Sequence, residues 1–108
     1  FDDEISTFGT GDKGVWYLKK MEALSVSMAV THGKFADDPR DLQSRGAIDR
    51  IEKSGLRHLA FVDTLPWRFN FKPPEMIHVI DGAPFLADVI SRTVNNESLA
   101  ALWEGVKI

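Results

Sequence analysis

The chain has 108 residues, of which 44% are hydrophobic and 27% are charged, and this composition is typical of one folded globular domain. Its formal net charge of −3 excludes a global electrostatic attraction to nucleic acid or to an anionic membrane, and the absence of cysteine excludes disulfides and thiolate metal sites. No apolar run approaches the roughly 20 residues that a membrane-spanning helix needs.

The N-terminal segment 1–11 mixes acidic residues with serine, threonine and glycine, a pattern that predicts the end of a linker. Within it, Phe8 is predicted to anchor the segment to the core. The sequence begins with Phe1 rather than methionine, and its acidic start lacks the basic region of a secretory signal peptide. We therefore expect a piece of a larger multidomain protein, with residues 12–108 as a single globular domain. Because there is no cysteine and no visible signal peptide, we expect an intracellular location.

A long first helix is predicted from about Asp12 to His32, with Gly33 ending it in a left-handed cap. Small residues alternate with apolar ones between residues 23 and 31, so the second half of this segment also fits a strand. The apolar residues recur at helical spacing: Tyr17, Leu18, Met21, Leu24, Met28 and Phe35.

The second predicted helix begins with Asp38 as the cap acceptor and Pro39 at the first helical position. Gly55 is predicted to end this helix, after which Leu56 folds back onto Ile51. One face carries a narrow apolar stripe, and the charged remainder is expected to be solvated.

Strands are predicted in three short segments that follow. Residues 56–63 and 76–81 are apolar runs bounded by turn residues, and residues 67–72 alternate strictly between aromatic and polar side chains. A helix that begins at Pro74 is an alternative for the segment 76–81.

Two helices complete the chain, one beginning near Pro84 and one capped by Asn96 and ended by Gly105. Trp16 and Trp103 fall on helical stripes and are expected in the core. Together the elements predict an α+β fold that is mainly helical, with about four helices around a small two- or three-stranded sheet, antiparallel or mixed. An all-α fold is the alternative.

Two histidines and two aspartates form the most enzyme-like pattern, with His58 before Asp63 and His78 before Asp81. If their segments are neighbouring parallel strands, both aspartates lie at the carboxyl ends, where open α/β sheets bind ligands. A small hydrolase or transferase that uses Asp63, Asp81 and His78 is therefore one alternative function. The favoured interpretation is that each aspartate caps a local turn or helix.

Other candidate sites have weaker patterns. The glycine-rich segment 9–11 precedes a helix, whose N-terminus is able to hold a phosphate. Because no strand is predicted before it and it matches no phosphate-binding fingerprint, we interpret it as linker glycine. His32, His58 and His78 lack the spacing of zinc ligands, so no metal site is predicted, and no cofactor or catalytic residue is assigned.

The segment 67–72 carries the predicted binding residues Trp67, Arg68, Phe69 and Lys72. On a strand, its aromatic side chains point to one face and its polar side chains to the other. If exposed, such a face is typical of a protein contact or of a platform for single-stranded nucleic acid. Alternatively, the aromatic rings close the core.

No catalytic motif is recognisable, so we predict a non-catalytic protein-protein interaction module excised from a larger multidomain protein. Its expected partner is another protein or another domain of the parent chain. A single-stranded nucleic-acid-associated domain is an alternative, and no membrane partner is expected.

Overall fold

The computed structural model describes residues 1–36 and 45–104. Within these residues, four parallel strands form one sheet in the order β1-β2-β3-β4. The strands are β1 (Asp2–Ile5), β2 (Ser27–Gly33), β3 (His58–Val62) and β4 (Ile77–Ile80). The helices are α1 (Gly9–Lys20), α2 (Gly46–Ser54) and α3 (Ala83–Val94), followed by a short 3₁₀ helix over Ala100–Trp103.

The fold is therefore α/β, and the predicted mainly helical α+β fold and its all-α alternative are wrong. The error lies chiefly in the predicted first helix. α1 ends at Lys20, Glu22 has a left-handed φ of 65°, and residues 27–33 form β2 in the middle of the sheet. Both faces of a central parallel strand are usually covered, so its sequence does not alternate between apolar and polar residues. Without that alternation, the apolar residues of β2 matched helical spacing and led to the wrong prediction.

The N-terminal segment contributes the edge strand β1 to the sheet. β1 pairs in parallel with β2, with Asp2 beside Val30 and Glu4 beside His32, and α1 begins at Gly9. Phe8 is buried, at 3% exposure, which agrees with its predicted anchoring role. The division into residues 1–11 and 12–108 as separate units remains a prediction, although residues 2–5 are an integral strand of the sheet.

Several local predictions are confirmed. Gly55 ends α2 with a left-handed φ of 78°, and the next residue, Leu56, is buried. The segments 56–63 and 76–81 contain β3 and β4, and α3 has a proline in its first turn. The predicted cap at Asp38 and Pro39 and the predicted stop at Gly105 lie outside the described residues.

The segment 67–72 is irregular, so its predicted strand is wrong. Trp67 lies where the chain returns from the end of β3, and its indole Nε1 donates a 2.6 Å hydrogen bond to the carbonyl oxygen of Phe71. This bond joins residues four positions apart, so the segment forms a turn. An extended strand would instead form backbone hydrogen bonds with a neighbouring strand. Trp16 and Trp103 were expected in the core, but each is 62% exposed.

α1 and α2 contact each other, and their buried side chains join those of the sheet in one hydrophobic core. The core between them is apolar, with Leu59 and Ile48 fully buried. Residues in register on neighbouring parallel strands point to the same face of the sheet. The face that points away from this core carries mostly small and polar side chains. This surface, the open face, comprises Ser27, Ala29, His58, Ala60, His78 and Ile80.

α3 presents uncovered apolar side chains. Phe85, Leu86, Ile90 and Val94 are 48–74% exposed, and α3 contains no buried residue. Among the described helices, none is both long and apolar enough to span a membrane.

Candidate functional site

The first candidate site is the β1–α1 loop, a name used here for residues 6–11, which comprise the connection after β1 and the first residues of α1. Phe8 adopts a left-handed φ of 66° immediately before the first helical residue. A left-handed residue beside helical ones is a conformation that directs successive backbone N–H groups to one side. The loop therefore has the backbone geometry of an anion-binding concavity.

The N-terminus of α1 has unsatisfied donors. No side chain caps it, and the backbone N–H of Asp12 is the first to bond within the helix, to the carbonyl oxygen of Phe8 at 2.9 Å. The N–H groups of residues 8–11 precede that bond and have no acceptor within the helix. Together with the positive end of the helix dipole, such groups favour a bound phosphate. A hollow of about 220 Å³ lies at this loop, lined also by Asp2 and Glu4.

Two contacts hold the loop in place. The ring of Phe8 lies directly over Gly11, so closely that a β-carbon at residue 11 would overlap it. Arg50 in α2 donates a 2.7 Å hydrogen bond from Nε to the carbonyl oxygen of Thr7. The Phe8 ring on the core side and the Arg50 guanidinium group of α2 therefore both stabilise the loop.

Acidic side chains on β1 flank the loop. The side-chain hydrogen bond with Asp2, followed by the backbone N–H of Glu4, lowers the pKa of the Asp3 carboxyl below its ordinary range. Glu4 pairs with Lys34 at 2.7 Å. Asp3 is therefore a charged acceptor at neutral pH, three residues before the loop.

The interpretation of segment 9–11 as linker glycine was based on the absence of a preceding strand. The structure places β1 there, so that premise is wrong. β1 has only four residues, of which three are acidic, and no apolar run marks it as a strand. The available signal was the glycine-rich segment itself, directly before a helix.

The pair Asp63 and Asp81 lies where parallel strands predict it, after the carboxyl ends of β3 and β4. Each carboxylate accepts a backbone hydrogen bond at the start of α3: Asp63 from the N–H of Gly82 at 2.8 Å, and Asp81 from the N–H of Ala83 at 2.9 Å. The Asp81 bond is the local turn contact that the capping interpretation expected, whereas the Asp63 bond spans 19 residues and links the end of β3 to α3. His78 lies on the open face, three residues before Asp81, and bonds to His58.

The four predicted binding residues occupy different environments. Phe69 is 7% exposed and Trp67 is half-buried, packed edge-on against Phe35 at 5.7 Å between ring centroids. Arg68 stacks on the Phe69 ring at 4.7 Å and donates a 2.6 Å hydrogen bond to the carbonyl oxygen of Phe35, whereas Lys72 is exposed. The aromatic rings line an apolar hollow of about 400 Å³.

The three histidines do not converge. His58 and His78 meet on the open face, with 3.1 Å between Nδ1 of the first and Nε2 of the second. His32 instead bonds through Nδ1 to Oγ1 of Thr64 at 2.6 Å. No group of three or more histidine, aspartate or glutamate side chains within residues 1–36 and 45–104 is placed to hold a metal ion.

No family model matches the chain. It is 35% identical over 102 residues to a ribose-phosphate pyrophosphokinase of Wolinella succinogenes and 36% identical over 104 residues to one of Corynebacterium glutamicum. These alignments cover 94% and 96% of the chain, which spans only 29% of the length of each relative. The relatives are thus more than three times as long.

A solved structure agrees with these relatives. The phosphoribosylpyrophosphate synthetase of Mycobacterium smegmatis superimposes with a TM-score of 0.73 at 32% identity, over 88% of this chain and 29% of that one. These similar proteins are enzymes. The predictions of a non-catalytic interaction module and, as its alternative, of a nucleic-acid-associated domain are therefore wrong.

Proposed function

We propose that this chain is the ribose-phosphate-binding part of a ribose-phosphate pyrophosphokinase, with the β1–α1 loop as the seat of a phosphate group. The observation that carries the proposal is the uncapped N-terminus of α1, preceded by a left-handed Phe8 and a parallel strand. This is the arrangement in which backbone N–H groups and a helix dipole meet a phosphate. The names of the relatives supply the substrate class.

The neighbouring acids fit the rest of such a substrate. A ribose phosphate has hydroxyl groups a few ångströms from its phosphate, and ionised carboxylates are strong acceptors for hydroxyl donors. Asp2 and Asp3 on β1 lie just before the loop, and Asp2 lines the same hollow as residues 6–11. We assign the phosphate to the loop and the ribose hydroxyls to these two carboxylates.

The contribution of this chain to the reaction is positioning. The relatives' name describes the transfer of a pyrophosphoryl group to ribose phosphate. Holding the acceptor by its phosphate and its hydroxyls converts an encounter in solution into a reaction between oriented groups. The chain spans only 29% of the length of its relatives, so we assign the groups that bind the pyrophosphoryl donor to other parts of such an enzyme.

Other parts of the enzyme would also cover the apolar surface. The apolar side of α3 is exposed here, and a contiguous exposed apolar surface marks an interaction site. We propose that another domain of the parent enzyme packs on this side of α3. Contact with such a domain is also the role proposed for Trp67, Arg68, Phe69 and Lys72, because their cluster adjoins an apolar hollow.

The proposal is tested by a ¹H–¹⁵N correlation spectrum of the chain, titrated with ribose 5-phosphate, ribose and inorganic phosphate. We expect ribose 5-phosphate to shift the amides of residues 8–11, ribose to leave them unchanged, and inorganic phosphate to shift them at higher concentration. Shifts confined to the surface away from the loop, or an equal response to ribose and ribose 5-phosphate, would refute the assignment.

A further inference from the structure

His58 and His78 form a pair of imidazoles on the open face. They lie on the adjacent strands β3 and β4, where Ala60 is in register with His78 and His58 is two residues earlier. Nδ1 of His58 lies 3.1 Å from Nε2 of His78, the ring centroids are 5.2 Å apart, and the ring planes are inclined by 49°. The parallel ladder of the two strands fixes the backbone beneath both rings.

The separation of the two nitrogens suits one shared metal ion. Imidazole nitrogens bind zinc at roughly 2.0–2.1 Å, so two of them on a tetrahedral ion are about 3.3 Å apart. The observed 3.1 Å is close to this value. In the structure this contact is a hydrogen bond between the two rings, so an ion would replace the shared proton and both rings would turn until the two nitrogens face a common point. The paired strands β3 and β4 beneath them would not need to move.

The surroundings leave such an ion accessible. Both rings are exposed, and His58 lines a hollow of about 270 Å³ whose other walls include the small side chains of Ser27, Ala29 and Ala60. Among the described residues, no third histidine, aspartate or glutamate completes a cluster with this pair. The remaining coordination positions of the ion are therefore left to water or to a ligand from solution.

We propose that His58 and His78 form a two-imidazole site for a divalent late transition-metal ion such as Zn²⁺, Ni²⁺ or Cu²⁺. Neutral imidazole is the preferred nitrogen ligand of these ions, whereas Mg²⁺ and Ca²⁺ require oxygen ligands. The site is separate from the β1–α1 loop, because it lies on the open face of β3 and β4 while the loop follows the edge strand β1.

The site is tested with Zn²⁺ alone by titration calorimetry of the chain and of the His58→Gln, His78→Gln and His32→Gln variants. We expect loss of either ligand to weaken binding by about tenfold or more, because the second nitrogen acts at high effective concentration once the first is bound. His32→Gln is the matched control and should retain the wild-type affinity, since His32 bonds to Thr64 and not to the pair. Equal affinity in all four proteins would overturn the proposal.

A second measurement on the wild-type chain does not depend on the folding of the variants. Cu²⁺ is paramagnetic and broadens the resonances of nearby nuclei, so we expect selective loss of the amide signals of Ala60, His58 and His78 at substoichiometric ion. Mg²⁺ at the same concentration should leave them unchanged. Broadening confined to the acidic residues of β1, with β3 and β4 unaffected, would place the ion elsewhere and overturn the proposal.

Discussion

The aromatic ring of Phe8 covers Gly11 so closely that residue 11 has no room for a side chain. Phe8 is buried and belongs to the hydrophobic core, so packing restricts the movement of its ring. A methyl group at residue 11 would displace the ring or the first turn of α1. The shape of the candidate phosphate loop therefore depends on the last glycine of the segment 9–11.

Gly11→Ala is expected to abolish the response of the loop to ribose 5-phosphate and to lower the free energy of unfolding by about 1–3 kcal/mol, the usual cost of overpacking. The measurements are the amide titration described above and urea unfolding followed by circular dichroism.

Gly14→Ala is the matched control for this variant, because a β-carbon at residue 14 meets nothing within 4 Å and lies in the same helix. Alanine in a helix interior is favoured over glycine by roughly 0.5–1 kcal/mol, so this variant should be more stable and should bind as the wild type does. Equal behaviour of the two variants would show that the contact between Phe8 and Gly11 does not shape the loop.

Trp67 is predicted to contribute packing as well as contact surface. Its ring meets Phe69 edge-on at 4.9 Å and Phe35 at 5.7 Å. Trp67→Ala should cost roughly 2–3 kcal/mol, less than a fully buried ring, because the indole is half-buried. Trp67→Phe should cost about 1 kcal/mol through the lost hydrogen bond to Phe71. Complete unfolding of Trp67→Ala would assign the ring to the core and remove it from the proposed contact surface.

Leu59 marks the centre of the core. It is fully buried on β3, whereas Ile80 on neighbouring β4 is 50% exposed on the open face. Leu59→Ala should therefore reduce the free energy of unfolding by about 2–5 kcal/mol, and Ile80→Ala by roughly 1 kcal/mol or less. Chemical denaturation of both variants measures the difference. Similar costs would mean that the open face is covered in solution, for instance by a second copy of the chain.

The pH dependence of stability should include a contribution from Asp3. Its pKa is lowered in the folded chain by the side-chain hydrogen bond with Asp2 and by the N–H of Glu4. A lowered pKa stabilises the fold at pH values above the unfolded pKa of about 4, and this contribution is lost as the pH falls through the lower folded value. The stability difference between wild type and Asp3→Asn should therefore shrink in acid, as urea unfolding at several pH values would show. A difference independent of pH below about 5 would contradict the assignment.

Local signals in the sequence were sufficient for the end of α2, for β3 and β4, and for the start of α3. Gly55 ends α2 because glycine alone tolerates its left-handed backbone without strain, and Pro84 lies in the first turn of α3, where a missing N–H costs nothing. β3 and β4 were recognisable as short apolar runs between turn residues. The convergence of Asp63 and Asp81 at the ends of parallel strands was likewise anticipated as one possibility.

The sequence failed where neighbours along the chain do not determine the structure. β1 is acidic, and the apolar residues of β2 recur at helical spacing, so neither sequence predicts a strand. Both are strands because they pair with each other and because β2 also pairs with β3. The alternating aromatics of residues 67–72 resembled a strand, but they pack around Phe35, which lies more than 30 residues earlier.

The sequence by itself therefore determined the end of α2, the start of α3 and the two later strands, because glycine, proline and short apolar runs restrict the backbone locally. Only the tertiary structure decided that β1 and β2 join a parallel sheet, that the glycine-rich segment opens a helix after a strand, and that His58 and His78 meet. These features depend on pairing between residues about 20 or more positions apart. The free energy of such pairing comes from hydrogen bonds and burial across the sheet, which no short window of sequence contains.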